Sequence, residues 1–186
     1  ENQEDASVFY GDLPSNYAGV FVVLSGARTA KELDTFFKNS DYNIPVPYFK
    51  SIVIENGIQK LNQNLFSGFL DVQQITIPQS VTFLGDDIFT ACLSLQSITL
   101  SDQISTIPSG CFTGCAALKN IDLPSSLLEI SKSAFSNCIS LETVVIPNNV
   151  TKIGEKAFDG CKNLVSVTLP KQLETLGDRV FNDCYR

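Results

Sequence analysis

Residues 118–138 read LKNIDLPSSLLEISKSAFSNC, and this segment decides the fold because its pattern recurs along the chain. A phenylalanine returns every 23 residues with no insertion, at Phe66, Phe89, Phe112, Phe135, Phe158 and Phe181. A cysteine follows three residues later in every copy but the first, which has Phe69, and these cysteines are Cys92, Cys115, Cys138, Cys161 and Cys184. This register indicates a repeat protein, in which a unit buries its apolar face only by stacking on its neighbours.

Each copy also contains a short alternating segment. In the copy quoted above, Ile121 and Leu123 are apolar whereas Asn120 and Asp122 are polar, which predicts a strand with one inward and one outward face. A proline follows this segment in four of five copies, and Ser101 replaces it in the other. Because proline has no N–H and a fixed φ, it ends the strand and turns the chain.

The segment around the phenylalanine predicts a corner. Ala134, Phe135, Cys138 and Leu141 have the i, i+1, i+4, i+7 spacing of a short helix or 3₁₀ turn with one face inward. A coil is therefore expected to contain a strand, an extended segment and a helical corner, with successive strands forming a parallel sheet. The sequence thus predicts an α/β repeat solenoid over residues 49–186, with about five and a half to six coils of 23 residues.

The spacing Leu118-x-x-Ile121-x-Leu123 matches the start of the leucine-rich-repeat consensus. The complete unit over residues 118–138 resembles the BspA-like leucine-rich repeats of bacterial surface proteins, and the resemblance extends from about residue 49 to residue 186. It implies a surface-exposed or secreted protein that contacts proteins of a host or of a neighbouring cell. The expected extracellular or cell-surface location follows from this resemblance alone.

Residues 1–48 lack the repeat and are predicted to form an N-terminal cap, because an open solenoid leaves its first strand edge and its core uncovered. Val20–Leu24 is similar to the glycine-bounded strand that often precedes such arrays. Thr29 and Glu32 form a capping-box pattern that predicts a short amphipathic helix. No polar capping segment follows Cys184, which predicts either a fragment or an end that another molecule covers, for example by end-to-end self-association.

Charge and hydropathy argue against several classes of partner. The 186 residues carry 13 Lys and Arg against 20 Asp and Glu, a net charge of −7, and the cations are scattered. No positive patch is therefore predicted for a nucleic acid or an anionic membrane. The apolar run Val20–Leu24 is far shorter than the roughly 20 residues that cross a bilayer, so membrane insertion is not expected. Residues 1–5 do not have the pattern of a signal peptide, which is either absent or removed.

The chain contains no histidine, which removes the Ser-His-Asp and Cys-His forms of catalysis. The six cysteines allow two interpretations, because coils about 5 Å apart bring column cysteines within bridging distance. Five cysteines in one inward column cannot all pair, which favours buried free thiols. Zinc needs about four N or S ligands, whereas Cys111 and Cys115 offer two. We therefore predict no enzyme activity, no cofactor and no metal site.

The outward strand positions are the predicted ligand-facing surface, named the strand face below. It comprises Gln74, Thr76, Ser97, Thr99, Asn120, Asp122, Thr143, Val145, Ser166 and Thr168. With about 4.8 Å between strands this face covers only a few hundred Å², so binding through it alone is expected to be weak. The predicted role is recognition or adhesion, with a protein or a surface glycan as the unidentified ligand. The alternative is a rigid spacer that presents other domains.

Some apolar side chains also fall at outward positions of the predicted coils. They are Leu93, Leu128, Ile139, Val145 and Val165. Single apolar residues of this kind are common on protein surfaces, although together they could mark a contact patch.

Overall fold

The structure is a computed structural model that describes residues 20–24, 49–54 and 56–186 of the chain. From residue 49 onward the described residues form a solenoid whose coils keep the 23-residue interval. We number the coils 1 to 6, and they begin at residues 49, 72, 95, 118, 141 and 164. The predicted stacking of repeat units is confirmed.

The described chain contains short strands and no helix. The strands are β1 (Val20–Leu24), β2 (Phe49–Ile54), β3 (Lys60–Leu61), β4 (Gln74–Thr76), β5 (Phe83–Leu84), β6 (Ser97–Thr99), β7 (Thr106–Ile107), β8 (Glu129–Ile130), β9 (Thr143–Val145), β10 (Lys152–Ile153), β11 (Ser166–Thr168) and β12 (Thr175–Leu176). They pair only in parallel, and from β2 onward each pair joins strands at equivalent positions of neighbouring coils.

The first ladder has the order β1-β2-β4-β6, in which β1 precedes coil 1 and β2, β4 and β6 are the main strands of coils 1 to 3; separately, β9 pairs with β11. Equivalent residues lie opposite each other, so Ile75 faces Ile52 on one side and Ile98 on the other. Equivalent side chains thus form continuous inward columns. The apolar side chains of each coil are buried against those of the neighbouring coils, because a single coil has no core of its own.

The first ladder is interrupted at coil 4, where residues 120–122 pair with neither neighbouring strand. The prediction of a paired strand at Asn120 and Asp122 is therefore wrong. Asparagine and aspartate disfavour strands because their side chains compete for nearby backbone groups. In the paired coils 2, 3, 5 and 6 the second outward position is β-branched, and its residues are Thr76, Thr99, Val145 and Thr168.

The second ladder joins the short strands of the extended segments, in the orders β3-β5 and β7-β8-β10-β12. Just after β5, β8, β10 and β12 an N–H donates to the preceding coil, as from Gly85 to the Leu61 carbonyl (2.8 Å) and from Gly154 to the Ile130 carbonyl (2.7 Å). Coil 3 has Pro108 at this position. Because proline has no N–H to donate, the ladder is broken between β5 and β7.

A third set of hydrogen bonds, the corner ladder, connects every pair of neighbouring coils around the phenylalanine column. The Phe89 N–H donates to the Cys111 carbonyl (3.0 Å), and the Phe135 N–H donates to the Ala157 carbonyl (2.7 Å). Each corner is a series of turns in which two residues have positive φ, such as Ser133 (54°) and Asn137 (58°). A right-handed helix does not accommodate these angles, so the predicted helical corner is not confirmed.

The core is a stack of phenylalanine rings along the solenoid axis. Consecutive ring centroids from Phe66 to Phe181 lie 5.1 to 5.7 Å apart, with the planes within 16° of parallel. The five rings from Phe66 to Phe158 are fully buried. The prediction that the phenylalanine column points inward is confirmed.

The two ends of the solenoid differ. At one end, β1 pairs in parallel with β2, so the strand expected at Val20–Leu24 is present; the helix expected after Thr29 lies outside the described residues. At the other end, column residues of coil 6 are more exposed than their equivalents, and Leu169 and Leu176 reach 44% and 51%. Self-association through coil 6 stays a prediction.

Candidate functional site

The strand face points to solvent, and all ten of its residues are exposed. The paired strands β4, β6 and β9 alternate exposed, buried and exposed side chains, as the sequence pattern predicts. Val145 is the most exposed apolar side chain of the face, at 67%. Asp122 is its single charged residue, so the face is polar but nearly uncharged.

A depression lies on the strand face where the first ladder is interrupted at coil 4. Its volume is about 700 Å³, and its lining includes Asn120, Asp122, Thr143 and Val145. The Thr143 hydroxyl lies 3.4 Å from Asn120 Oδ1 and donates a weak hydrogen bond across the gap. Four of the predicted ligand-facing residues therefore lie around one concave site.

Sequence reasoning missed a second wall of this depression. Asn148 and Asn149 line it after the turn at Pro147, and Asn149 donates from Nδ2 to the Ser125 carbonyl (2.9 Å). These asparagines lie outside the strand, whereas the predicted ligand-facing residues all lie within the predicted strands. Two adjacent amides following the proline were the available signal.

The 23-residue repeat has a counterpart among known protein families. The sequence pattern of the "BspA type Leucine rich repeat region" matches residues 42–164 and 128–186, with six copies. The chain belongs to the BspA-type leucine-rich repeat family. Leucine-rich repeat proteins are generally noncatalytic, and the solenoid is consistent with a protein-binding module.

Solved bacterial structures share the fold of this BspA-type chain. A leucine-rich repeat protein from Bacteroides ovatus is 27% identical with a TM-score of 0.70, over 95% of this chain and 43% of that one. The leucine-rich repeat protein of T. pallidum is 26% identical with a TM-score of 0.67, over 96% and 87%. A leucine rich cell surface protein from Faecalibacterium prausnitzii is 33% identical with a TM-score of 0.63, over 70% and 33%.

The BspA-type chain spans less than half the length of the B. ovatus and F. prausnitzii proteins. A search of curated protein sequences found no significant match. In the described part of the chain no helix has the length and apolar character of a membrane span.

The cysteines of the BspA-type repeat are free thiols that hold neighbouring coils together. Each column cysteine donates its S–H to the phenylalanine carbonyl of the preceding coil, as from Cys115 to Phe89 (3.2 Å) and from Cys138 to Phe112 (3.1 Å). Burial raises the pKa of Cys92 and Cys161 to about 12. Such thiols are poor nucleophiles and poor metal ligands, because both roles need the thiolate.

We expect a thiol titration to recover all six cysteines in denaturant and few in native buffer. Desolvation raises the pKa of each buried thiol, so little thiolate exists at neutral pH, and the buried sulfurs also exclude the reagent. Cys184 is only partly buried and should react first. The measurement is the absorbance of a coloured disulfide reagent with time. Recovery of two or fewer thiols in denaturant would instead indicate disulfides.

The apolar residues that were expected at the surface are indeed exposed. The exposed fractions are 47% for Leu93, 52% for Leu128, 41% for Ile139 and 64% for Val165. Sequence reasoning missed Phe83, which is 52% exposed in strand β5. The available signal was a single aromatic residue among polar residues at the equivalent positions of the other coils.

Proposed function

We propose that this chain is a recognition module that binds a protein partner through the strand face. The observation that carries the proposal is the depression at coil 4, where the face gains a concave centre. A flat row of short polar side chains offers little to hold a partner, whereas a depression lets an anchoring side chain become desolvated.

The chemistry of the depression suits a polar partner segment with one apolar anchor. Asn120, Asp122 and Thr143 supply hydrogen-bond donors and acceptors, and the exposed Val145 supplies an apolar contact. Residues 120–122 make no strand pairing, so their backbone groups are also available to a partner. The surrounding strands hold these groups in place, which lowers the entropy that binding would cost.

Adhesion at a cell surface is the setting in which we expect this recognition. The support is family membership, together with the F. prausnitzii relative, which is described as a cell surface protein. The small area of the strand face favours weak binding at each contact. Many such contacts between two surfaces would add by multivalency.

The decisive experiment combines Asp122→Arg with Thr143→Arg. We expect the double variant to abolish binding of a partner recovered by pull-down with the unmodified chain, because two long cations would fill the depression and reverse its charge. Both side chains are exposed, so the melting temperature should stay nearly unchanged. Affinity is measured by biolayer interferometry and folding by circular dichroism.

Leu128→Arg is the matched control, because Leu128 is exposed on the flank of the second ladder. It should leave the affinity for the same partner unchanged. If binding survives the double variant but is lost with Leu128→Arg or Ile139→Arg, the functional face lies elsewhere and the proposal is wrong.

A rigid spacer is the second candidate function. The continuous corner ladder and the unbroken phenylalanine stack favour it, since both resist bending along the solenoid. A spacer needs no distinctive surface. Replacement of every strand-face residue without loss of attachment to a natural surface would support the spacer against the recognition module.

A further inference from the structure

Two departures from the repeat meet at one place on the flank formed by the second ladder. We name this place the seam, and it is the gap between residues 82–85 of coil 2 and residues 105–108 of coil 3. In the following coil Leu128 and Glu129 both donate from N–H to the Ser105 carbonyl (2.8 and 3.3 Å). Across the seam the equivalent donors, Ser105 and Thr106, make no backbone hydrogen bond to coil 2.

Pro108 explains why the seam stays open. Its equivalents Ser131 and Gly154 donate to the carbonyls of Ile107 (2.9 Å) and Ile130 (2.7 Å). With no N–H at position 108, the Leu84 carbonyl loses the donor that its equivalents have. The seam therefore leaves carbonyl acceptors on coil 2 and N–H donors on coil 3 without a backbone hydrogen bond between them.

Phe83 is the second departure. The other described members of its column are polar, and they are Lys60, Thr106, Glu129, Lys152 and Thr175. In that column Glu129 and Lys152 form a surface ion pair (2.9 Å). Charged side chains of this kind are typical of a solvent-exposed position. The Phe83 ring instead stands 52% exposed at the edge of the seam. An exposed aromatic ring provides a flat apolar surface for a ligand.

The seam lies within a groove whose other walls are polar. The groove has a volume of about 490 Å³, inside the range of about 300 to 1,000 Å³ that small-molecule sites occupy. Its polar lining includes Asn62, Gln63, Asp86, Ser105 and Thr106. Asp86 uses Oδ1 to accept from the Ser109 N–H (3.1 Å), and within the described chain its Oδ2 accepts no hydrogen bond. An amide pair, a carboxylate and one aromatic ring thus surround the unpaired backbone.

The width of the seam decides the class of ligand. Cα atoms of β5 and β7 still lie within 8 Å of each other, whereas inserting a strand between them would need about 9.6 Å, twice the usual spacing. A hydroxyl group is smaller than a strand, and it can donate to a carbonyl and accept from an N–H at the same time. A ligand with several adjacent hydroxyls and an apolar C–H face beside Phe83 matches every group of the groove.

We propose that the seam is a binding site for a neutral saccharide, whose ring packs on Phe83 while its hydroxyls bridge the unpaired backbone of coils 2 and 3. Acidic sugars are disfavoured because Asp86 lines the groove and the chain carries a net charge of −7. This site is separate from the strand face and does not depend on the function proposed for it.

The test is an NMR titration of the full ¹⁵N-labelled chain with cellotetraose, chitotetraose and mannotetraose at millimolar concentrations. We expect at least one of them to shift the backbone amides of residues 82–86 and 105–109, and to leave those of the strand face unchanged. Phe83→Ala should weaken the affinity about tenfold, because it removes the stacking surface and leaves the polar groups in place. Since Phe83 is half-exposed, the variant should fold, which its unshifted core amides would verify.

Pro108→Gly is the second variant. It restores an N–H that can donate to the Leu84 carbonyl, as the equivalent glycines do in coils 2, 5 and 6, and it should weaken saccharide binding by closing the seam. The Asp122→Arg/Thr143→Arg variant should bind the saccharide normally, which separates this site from the strand face. The assignment is overturned if no saccharide shifts the seam amides or if Phe83→Ala binds as well as the unmodified chain.

Discussion

Replacing Phe135 by alanine is expected to lower the free energy of unfolding by about 3 to 5 kcal/mol. The ring is fully buried, and it stacks on Phe112 (5.2 Å between centroids) and on Phe158 (5.1 Å). Truncation would leave a cavity that two rigid coils cannot close, because the corner ladder fixes their spacing. Chemical denaturation followed by circular dichroism measures the effect.

Phe83→Ala is the matched control for this substitution. It removes the same side chain from a half-exposed position, so we expect a change of about 0.5 kcal/mol. A midpoint for Phe135→Ala equal to that of the unmodified chain would show that the phenylalanine column is not the core of the folded protein.

Gly154→Ala should destabilise the solenoid by about 1 to 3 kcal/mol, although it adds a single methyl group. A β-carbon at Gly154 would lie 2.5 Å from the Lys132 nitrogen and 2.7 Å from the Ser131 carbonyl carbon. These are backbone atoms, so no side chain can rotate away. The coils cannot separate without losing the hydrogen bond from the Gly154 N–H to the Ile130 carbonyl (2.7 Å).

Ser131→Ala provides the comparison for Gly154→Ala, since Ser131 occupies the same column one coil earlier and already has a β-carbon. It removes only a hydroxyl that bonds to Glu129 Oε1 (3.2 Å) and should cost about 0.5 kcal/mol. Equal melting temperatures for Gly154→Ala and the unmodified chain would mean that neighbouring coils approach less closely than the structure indicates.

The inward columns were predictable because the repeat itself supplies the register. Once Phe135 is aligned with Phe112 and Phe158, the inward or outward position of Ile121, Asn120 and their equivalents follows from alternation alone. Burial of the column cysteines followed in the same way. Because the pattern recurs six times, the inward positions can be assigned even where a single copy departs from it.

The corner was not predicted correctly because its apolar spacing does not distinguish a helix from turns with left-handed residues. Apolar residues at positions 134, 135 and 138 point inward in either case. The available signal was a second pair of columns, four residues apart, that contains Asp87, Gly110 and Asn137, residue types that tolerate positive φ. Lys156 and Arg179 occupy the same columns and obscure that signal.

The candidate sites depend on residues that depart from the repeat, and a consensus of the repeat does not show such residues. Asp122 interrupts the first ladder and Pro108 interrupts the second, and both residues are visible in the sequence. The depression and the seam are products of stacking, so their walls come from residues one coil apart. That proximity could be inferred from the 23-residue interval, but the loss of particular hydrogen bonds required coordinates.

The uniform coil length has a genetic consequence. Each coil contacts its immediate neighbours, and every column returns at the same interval. After deletion or duplication of one whole copy in the gene, the flanking coils can therefore stack with their columns and corner ladder in register. An insertion of any other length would displace a phenylalanine from the stack. Recombination between copies can therefore lengthen such a chain without passing through an unfolded variant. An exchange that duplicated coils 2 and 3 together would carry Phe83 and Pro108 with it, and the descendant protein would have two seams and twice the valency.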